Sequence, residues 1–134
     1  MINIYTDGAY SPTRNQGGWA FIVVDDTSDK VIFELSDAVA DTTNNRMEIE
    51  AVLRALLYIK FTNLESCKIY SDSLYVIGTI CDGWKRNKNQ DLWEVFDKLK
   101  QPGVKYIHVK GHDGNKFNER CDELAVFASH LNIN

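Results

Sequence analysis

Two distant segments of the chain end in nearly the same five letters, Ile4-Tyr5-Thr6-Asp7-Gly8 and Ile69-Tyr70-Ser71-Asp72-Ser73. Residues 2–7 alternate, with Ile2, Ile4 and Thr6 on one side and Asn3, Tyr5 and Asp7 on the other, the period of a strand. If the two strands lie side by side and parallel, the shared pattern gives them one register. Asp7 and Asp72 then finish on the same side of a sheet, about one strand spacing (~4.8 Å) apart. Adjacent carboxylates oppose joint ionisation unless cations fill the space between them. The repeat therefore predicts an α/β sheet whose paired strand tips form a divalent-metal site.

The intervening residues supply the connection such a sheet needs. Residues 19–24 and 31–35 are apolar, β-rich and separated by a polar turn, which predicts an antiparallel meander. The loop 11–18 contains Pro12 and Gly17-Gly18, which permit a tight turn or a close backbone approach. From 47 to 60 the apolar residues Met47, Ala51, Val52, Ala55, Leu56 and Ile59 fall at helical spacing; Asn45 with Glu48 has capping-box spacing, and Thr43 is the alternative cap. Strand 67–71 follows, then helices over 74–80 (capped by Asp72 or Ser73) and 91–99, strand 104–109, and a helix over 117–131. A strand-helix-strand crossover makes the strands it joins parallel. At 134 residues and 44% hydrophobic, the chain closes one core, so a single domain over 1–134 is expected.

The net charge of -4 argues against nonspecific nucleic-acid binding, but it is unevenly placed. Residues 1–81 hold six Lys/Arg against eleven Asp/Glu, whereas residues 82–116 hold eight against five. The segment Trp84-Lys85-Arg86-Asn87-Lys88 lies in the second stretch, so a basic groove is compatible with an acidic total. Cys67, Cys81 and Cys121 lack metal-ligand spacing and read as small apolar fillers in a reducing compartment. Apolar runs too short to cross a bilayer, and an N-terminus without a basic-then-apolar leader, give a soluble cytoplasmic protein as the expectation.

Two further acids can reach the strand tips. Glu48 sits in the first turn of the crossover helix, where capping alone would also explain it. Asp122 borders the apolar stripe of the last helix, next to Cys121 and four residues after Asn118. Four acids on four elements, with no cysteine or histidine cluster, suit hard Mg²⁺ or Mn²⁺ rather than zinc.

Four motifs in order now carry a family resemblance. Tyr5-Thr6-Asp7-Gly8, Thr42-Thr43-Asn44-Asn45-Arg46-Met47-Glu48, Tyr70-Ser71-Asp72-Ser73, and Val109-Lys110-Gly111-His112 followed by Asn118-Glu119-Arg120-Cys121-Asp122-Glu123-Leu124-Ala125 resemble the type 1 ribonuclease H family over essentially the whole chain. The resemblance implies a ribonuclease H-like α/β fold, a five-stranded mixed sheet flanked by helices. It implies endonucleolytic hydrolysis of the RNA strand of RNA–DNA hybrids, leaving 5′-phosphate and 3′-hydroxyl ends. Two Mg²⁺ ions, with Mn²⁺ as a substitute, would be held by Asp7, Glu48, Asp72 and Asp122. Asp7 would bridge both ions, Asp122 would help hold the one that activates water, and Glu48 and Asp72 the one facing the leaving 3′ oxygen.

By the same resemblance His112 is a mobile base beside the water-activating ion, in a loop bounded by Gly111 and Asp113-Gly114. Asn44 and Asn45 would read the minor groove, where 2′-hydroxyls distinguish RNA from DNA, and Thr43 would hold a DNA-strand phosphate. Backbone at Gly8 would also meet the RNA. The long basic protrusion of many cellular bacterial members is replaced by residues 83–90, leaving Lys85, Arg86 and Lys88 as candidate DNA-backbone contacts and predicting weaker, more salt-sensitive binding. Leu74 stands where a Gln is frequent, Ala9 where a Ser is frequent, and Thr13 and Arg14 replace part of an Asn-Pro loop. A monomer is expected; a replication or repair partner is not readable from the sequence. Another nuclease or integrase on the same fold, a noncatalytic hybrid-binding module and a purely structural domain are the competing readings.

Overall fold

The structure is a computed structural model that describes residues 1–111 and 114–133. Strands β1 (Ile2–Ser11), β2 (Gln16–Asp25) and β3 (Lys30–Ala40) form an antiparallel meander. Helix α1 (Asn44–Thr62) crosses to β4 (Cys67–Ser71), which is followed by α2 (Leu74–Cys81), α3 (Gln90–Leu99), β5 (Val104–His108) and α4 (Lys116–Ser129). The sheet order is β3-β2-β1-β4-β5, with β4 parallel to both β1 and β5. This is the expected five-stranded mixed sheet flanked by helices.

Alternation along the strands divides the interior into two layers. Ile4, Phe21, Val23 and Ile69 face α1, whose Ile49, Val52, Leu53, Leu56 and Ile59 are almost fully buried; Trp93 and Phe96 of α3 extend that layer. Tyr5, Ala20, Ile22 and Val24 face Cys121 and Ala125 of α4 in a smaller layer. The register pairs Ile4 with Ile69, Tyr5 with Tyr70 and Thr6 with Ser71, so the two repeated segments run side by side as their shared pattern requires. Among the described residues, no helix is long and apolar enough to cross a membrane.

The loop expected over 11–18 is shorter, because β1 runs to Ser11 and β2 starts at Gln16. Gly17 and Gly18 are strand residues that permit close approach rather than a turn. A Cβ on Gly17 would lie 2.5 Å from Met47 Cγ, and one on Gly18 2.2 Å from the Ala125 carbonyl oxygen, so both helices rest directly on this strand. The turn uses Asn15 in the left-handed region (φ 46°), braced by Tyr10 and Asp41 through its side chain. Thr43 is the α1 cap, accepting from the Arg46 N–H at 3.1 Å, and Ser73 caps α2 by accepting from Val76. Asn45 is therefore already helical and its side chain is free of the capping role considered for it. Cys67 and Cys121 are buried fillers, but Cys81 is exposed at the end of α2, contrary to the expectation for all three.

Candidate active site

The repeated strand register brings Asp7 and Asp72 together, and the tight seating of α1 on β1 adds Glu48. A Cβ on Gly8 would stand 2.4 Å from the Glu48 nitrogen and from the Met47 carbonyl carbon, so only glycine lets the start of α1 approach this closely. The Gly8 N–H is shared between two carboxylates, donating to Asp7 Oδ1 at 2.9 Å and to Glu48 Oε1 at 2.7 Å. One ligand oxygen from each of Asp7, Glu48 and Asp72 lies within 4.8 Å of the others. Asp122, from α4, faces these carboxylates closely enough for its charge to act on Asp7 and Glu48, although it is not one of the three within 4.8 Å of one another.

Electrostatically the cluster is unsatisfied by protein alone. Asp7 and Glu48 are 3% and 7% exposed, and Asp7 Oδ2 is buried without a hydrogen-bond donor. Burial, followed by the charges of Glu48, Asp72 and Asp122, pushes the Asp7 carboxyl far above the usual carboxylate range. Burial and then the charge of Asp72 push Glu48 up as well, although the Gly8 N–H acts in the opposite direction. Four oxygen-bearing side chains and a buried lone pair with no donor are a donor set for a hard divalent cation, and the arrangement fits Mg²⁺ or Mn²⁺ chemistry. The thiol of Cys121 beneath the site is held fully protonated, first by burial and then by these charges, and bonds the backbone carbonyls of Tyr5 and Ala20.

The remaining residues expected at the site divide into groups. Thr43, Asn44 and Asn45 are exposed at the start of α1, one turn before Glu48. Asn45 lines a surface cavity of about 210 Å³ with Lys85 and Lys88, so the Asn pair and the short basic segment share one surface. Arg86 points elsewhere: it pairs with Asp97 at 2.7 Å and covers the Trp93 ring at 5.4 Å. His112 lies outside the described residues. Gly111 before it sits close against the cluster, since a Cβ there would be 3.0 Å from Asp72 Oδ2.

Sequence reasoning missed Asn89 and Tyr75, and named Asn118 only by its spacing from Asp122. Asn89 and Tyr75 line the cavity shared by Asn45, Lys85 and Lys88; Asn89 is held in the left-handed region (φ 60°) and accepts from Arg46, which also grips Asp91 with both terminal nitrogens. No local signal specifies this pairing: Arg46 has Glu50 at helical spacing, yet it bonds Asp91, 45 residues away on α3. Asn118 is 3% exposed with an unsatisfied Oδ1, one turn before Asp122.

The sequence model of the RNase H family matches residues 1–130. The chain belongs to the ribonuclease H family. Ribonuclease H from Cyanothece sp. is 41% identical, the match covering 93% of this chain and 87% of that protein. Ribonuclease H from Treponema denticola is also 41% identical, over 95% and 96% of the two chains. Among solved structures, LC11-RNase H1 in complex with an RNA/DNA hybrid superposes with a TM-score of 0.77 at 25% identity, covering 96% of each chain. The N-terminal RNase H domain of a Mycobacterium tuberculosis protein, at 20% identity and a TM-score of 0.81 over 96% of this chain and 92% of that one, shares the fold. The type 1 ribonuclease H assignment and the five-stranded architecture thus agree with the motifs. Residues 82–89 join α2 to α3.

Proposed function

We propose that the protein is a single ribonuclease H domain over 1–134 that cuts the RNA strand of RNA–DNA hybrids endonucleolytically, leaving 5′-phosphate and 3′-hydroxyl ends. The observation that carries this reading is the convergence of Asp7, Glu48 and Asp72 within 4.8 Å, with the charge of Asp122 acting on Asp7, in a chain of this family. The hybrid seen with LC11-RNase H1 supports the substrate class.

Asp7, whose carboxyl feels the charges of the other three, would serve both ions; Glu48 and Asp72 would hold one, and Asp122 would help hold the other. When bound, a pair of Mg²⁺ ions supplies a lowered water pKa and stabilisation of charge on the departing 3′ oxygen. Gly8 fixes Glu48 through its N–H, so the orientation of that carboxylate is set by backbone rather than by a mobile side chain. His112, the residue after Gly111 in the sequence, would act as a proton carrier or assist product exit.

The start of α1 supplies the substrate contacts. Its first-turn N–H groups and dipole favour an anion, and the exposed Thr43 hydroxyl can still donate to a phosphate while accepting from Arg46. Asn44 and Asn45 offer amides to 2′-hydroxyls in the minor groove. Lys85 and Lys88 extend this surface across the cavity they share with Asn45. The protein would work as a cytoplasmic monomer. The test is cleavage of end-labelled RNA–DNA, RNA–RNA and DNA–DNA duplexes with Mg²⁺, Mn²⁺ or EDTA: the reading requires cuts confined to the RNA of the hybrid and abolished by EDTA, and is refuted by cleavage of duplex DNA or by an EDTA-resistant rate.

A further inference from the structure

The sheet face that carries Asp7 continues, uncovered, onto β4 and β5. Cys67, Ile69 and Ser71 are buried on the α1 and α2 side, so Lys68 and Tyr70 point to the α4 side. Yet α4 packs on β1, β2 and β3, and among the described residues the helices that touch β4 and β5 are α1, α2 and, through Phe96 against Tyr106, α3, all in the layer opposite α4. The register places Asn3, Lys68 and Lys105 in one row across three strands, and Tyr5, Tyr70 and Ile107 in the next. Tyr5 and Tyr70 stack at 4.8 Å. Asp7 follows Tyr5, and Asp72 follows Tyr70, by two residues, so the lysine row lies about 13 Å along the strands from the carboxylates.

Lys68 and Lys105 are direct cross-strand neighbours of like charge, an arrangement that weakens a sheet unless an anion compensates. Among the described residues neither forms a salt bridge, although the chain has an excess of acids. Nor is Lys68 used internally, for the buried Asn3 Oδ1 beside it has no donor. The two ammonium groups are thus left for an external anion, on a face continuous with the catalytic carboxylates.

The geometry points to a second contact for the substrate: Lys68 and Lys105 bind phosphates of the RNA strand where it runs on, single-stranded, beyond the hybrid. This rests on the hybrid-cleaving reading. Phosphates in an extended strand recur about every 6–7 Å, so the row meets the backbone two to three nucleotides from the scissile bond. The path between is Tyr70 and Ile107, uncharged themselves, with the Asp26 carboxylate beyond the end of β2 near enough to act on Tyr70.

The test measures binding by fluorescence anisotropy in Mg²⁺, on an Asp7→Asn background that arrests cleavage. The probes are a blunt RNA–DNA hybrid and the same hybrid with a short single-stranded RNA extension on the 5′ or the 3′ side. One extension tightens binding, and two extra phosphate contacts add about 1.4 to the slope of log Kd against log salt, so the gain shrinks about sevenfold between about 50 and about 200 mM salt. Lys68→Gln with Lys105→Gln removes the gain, and Lys68→Arg with Lys105→Arg restores it. With Asp7 intact, the Gln variant cleaves the blunt hybrid at the wild-type rate, which reads the catalytic assignment separately. The inference is overturned if neither extension tightens binding, or if the Gln variant keeps the gain.

Discussion

The backbone N–H of Gly8 donates to Glu48 Oε1 across 2.7 Å, tying β1 to the second turn of α1. The contact exists only because residue 8 has no Cβ: one placed there would lie 2.4 Å from the Glu48 nitrogen. Gly8→Ala must therefore push α1 away from β1 or distort both. The expected cost is about 1–3 kcal/mol in urea unfolding, with a loss of turnover that Mg²⁺ does not restore. An alanine variant of wild-type stability and rate would show that the approach is not required.

Asp7→Asn is expected to separate stability from activity. Asp7 is buried among three acids, so removing its charge relieves repulsion, and the metal-free variant should melt at or above the wild-type temperature. Turnover should fall by orders of magnitude, because the group that would touch both ions has lost a charge. Paired thermal melts and rates check this.

The same repulsion gives a pH dependence with a definite sign. Asp7 and Glu48 both have carboxyl pKa values raised by folding, so between the ordinary carboxylate range and their folded values the native state binds more protons than the unfolded chain. Stability of the metal-free protein therefore falls as pH rises from about 4 through neutrality. Mg²⁺ binds the ionised form, so its stabilising shift in melting temperature grows over the same span. Melts with Mg²⁺ or EDTA across that range check both slopes; a metal shift that shrinks with rising pH would contradict them.

The short basic segment should split in two under mutation. Lys85 and Lys88 share a surface with Asn45, so Lys85→Gln with Lys88→Gln should raise KM and flatten its salt dependence by up to about 1.8 in logarithmic slope. Arg86, paired with Asp97 and lying over Trp93, should instead cost about 1 kcal/mol of stability on replacement by Gln, with the salt slope unchanged. Salt titrations of KM and urea unfolding on the two variants distinguish these outcomes.

The strand register and the meeting of Asp7 with Asp72 were legible because a period of two fixes both neighbours and faces, and the repeat fixed the alignment. The order of elements followed from apolar spacing in the same way. The close approaches were half legible: Gly17-Gly18 allows a turn or a close backbone approach, and only the helices resting on β2 decide for the approach. The choice between Thr43 and Asn45 as cap depends on backbone angles that the two residues satisfy about equally well. Exposure of Cys81 depends on where α2 ends against β5, which its own apolar pattern does not encode. The direction of Arg86 depends on Asp97, eleven residues away on α3, a pairing no local spacing specifies.

The most direct measurement is single-turnover cleavage of a hybrid with 5′-labelled RNA, by wild-type protein and by Asp7→Asn, in Mg²⁺ and in EDTA. The account predicts RNA fragments ending in 3′-hydroxyl from the wild type in Mg²⁺ alone, and none at a comparable rate from the variant. An intact RNA strand with wild-type protein in saturating Mg²⁺, or equal cleavage by Asp7→Asn, would contradict it.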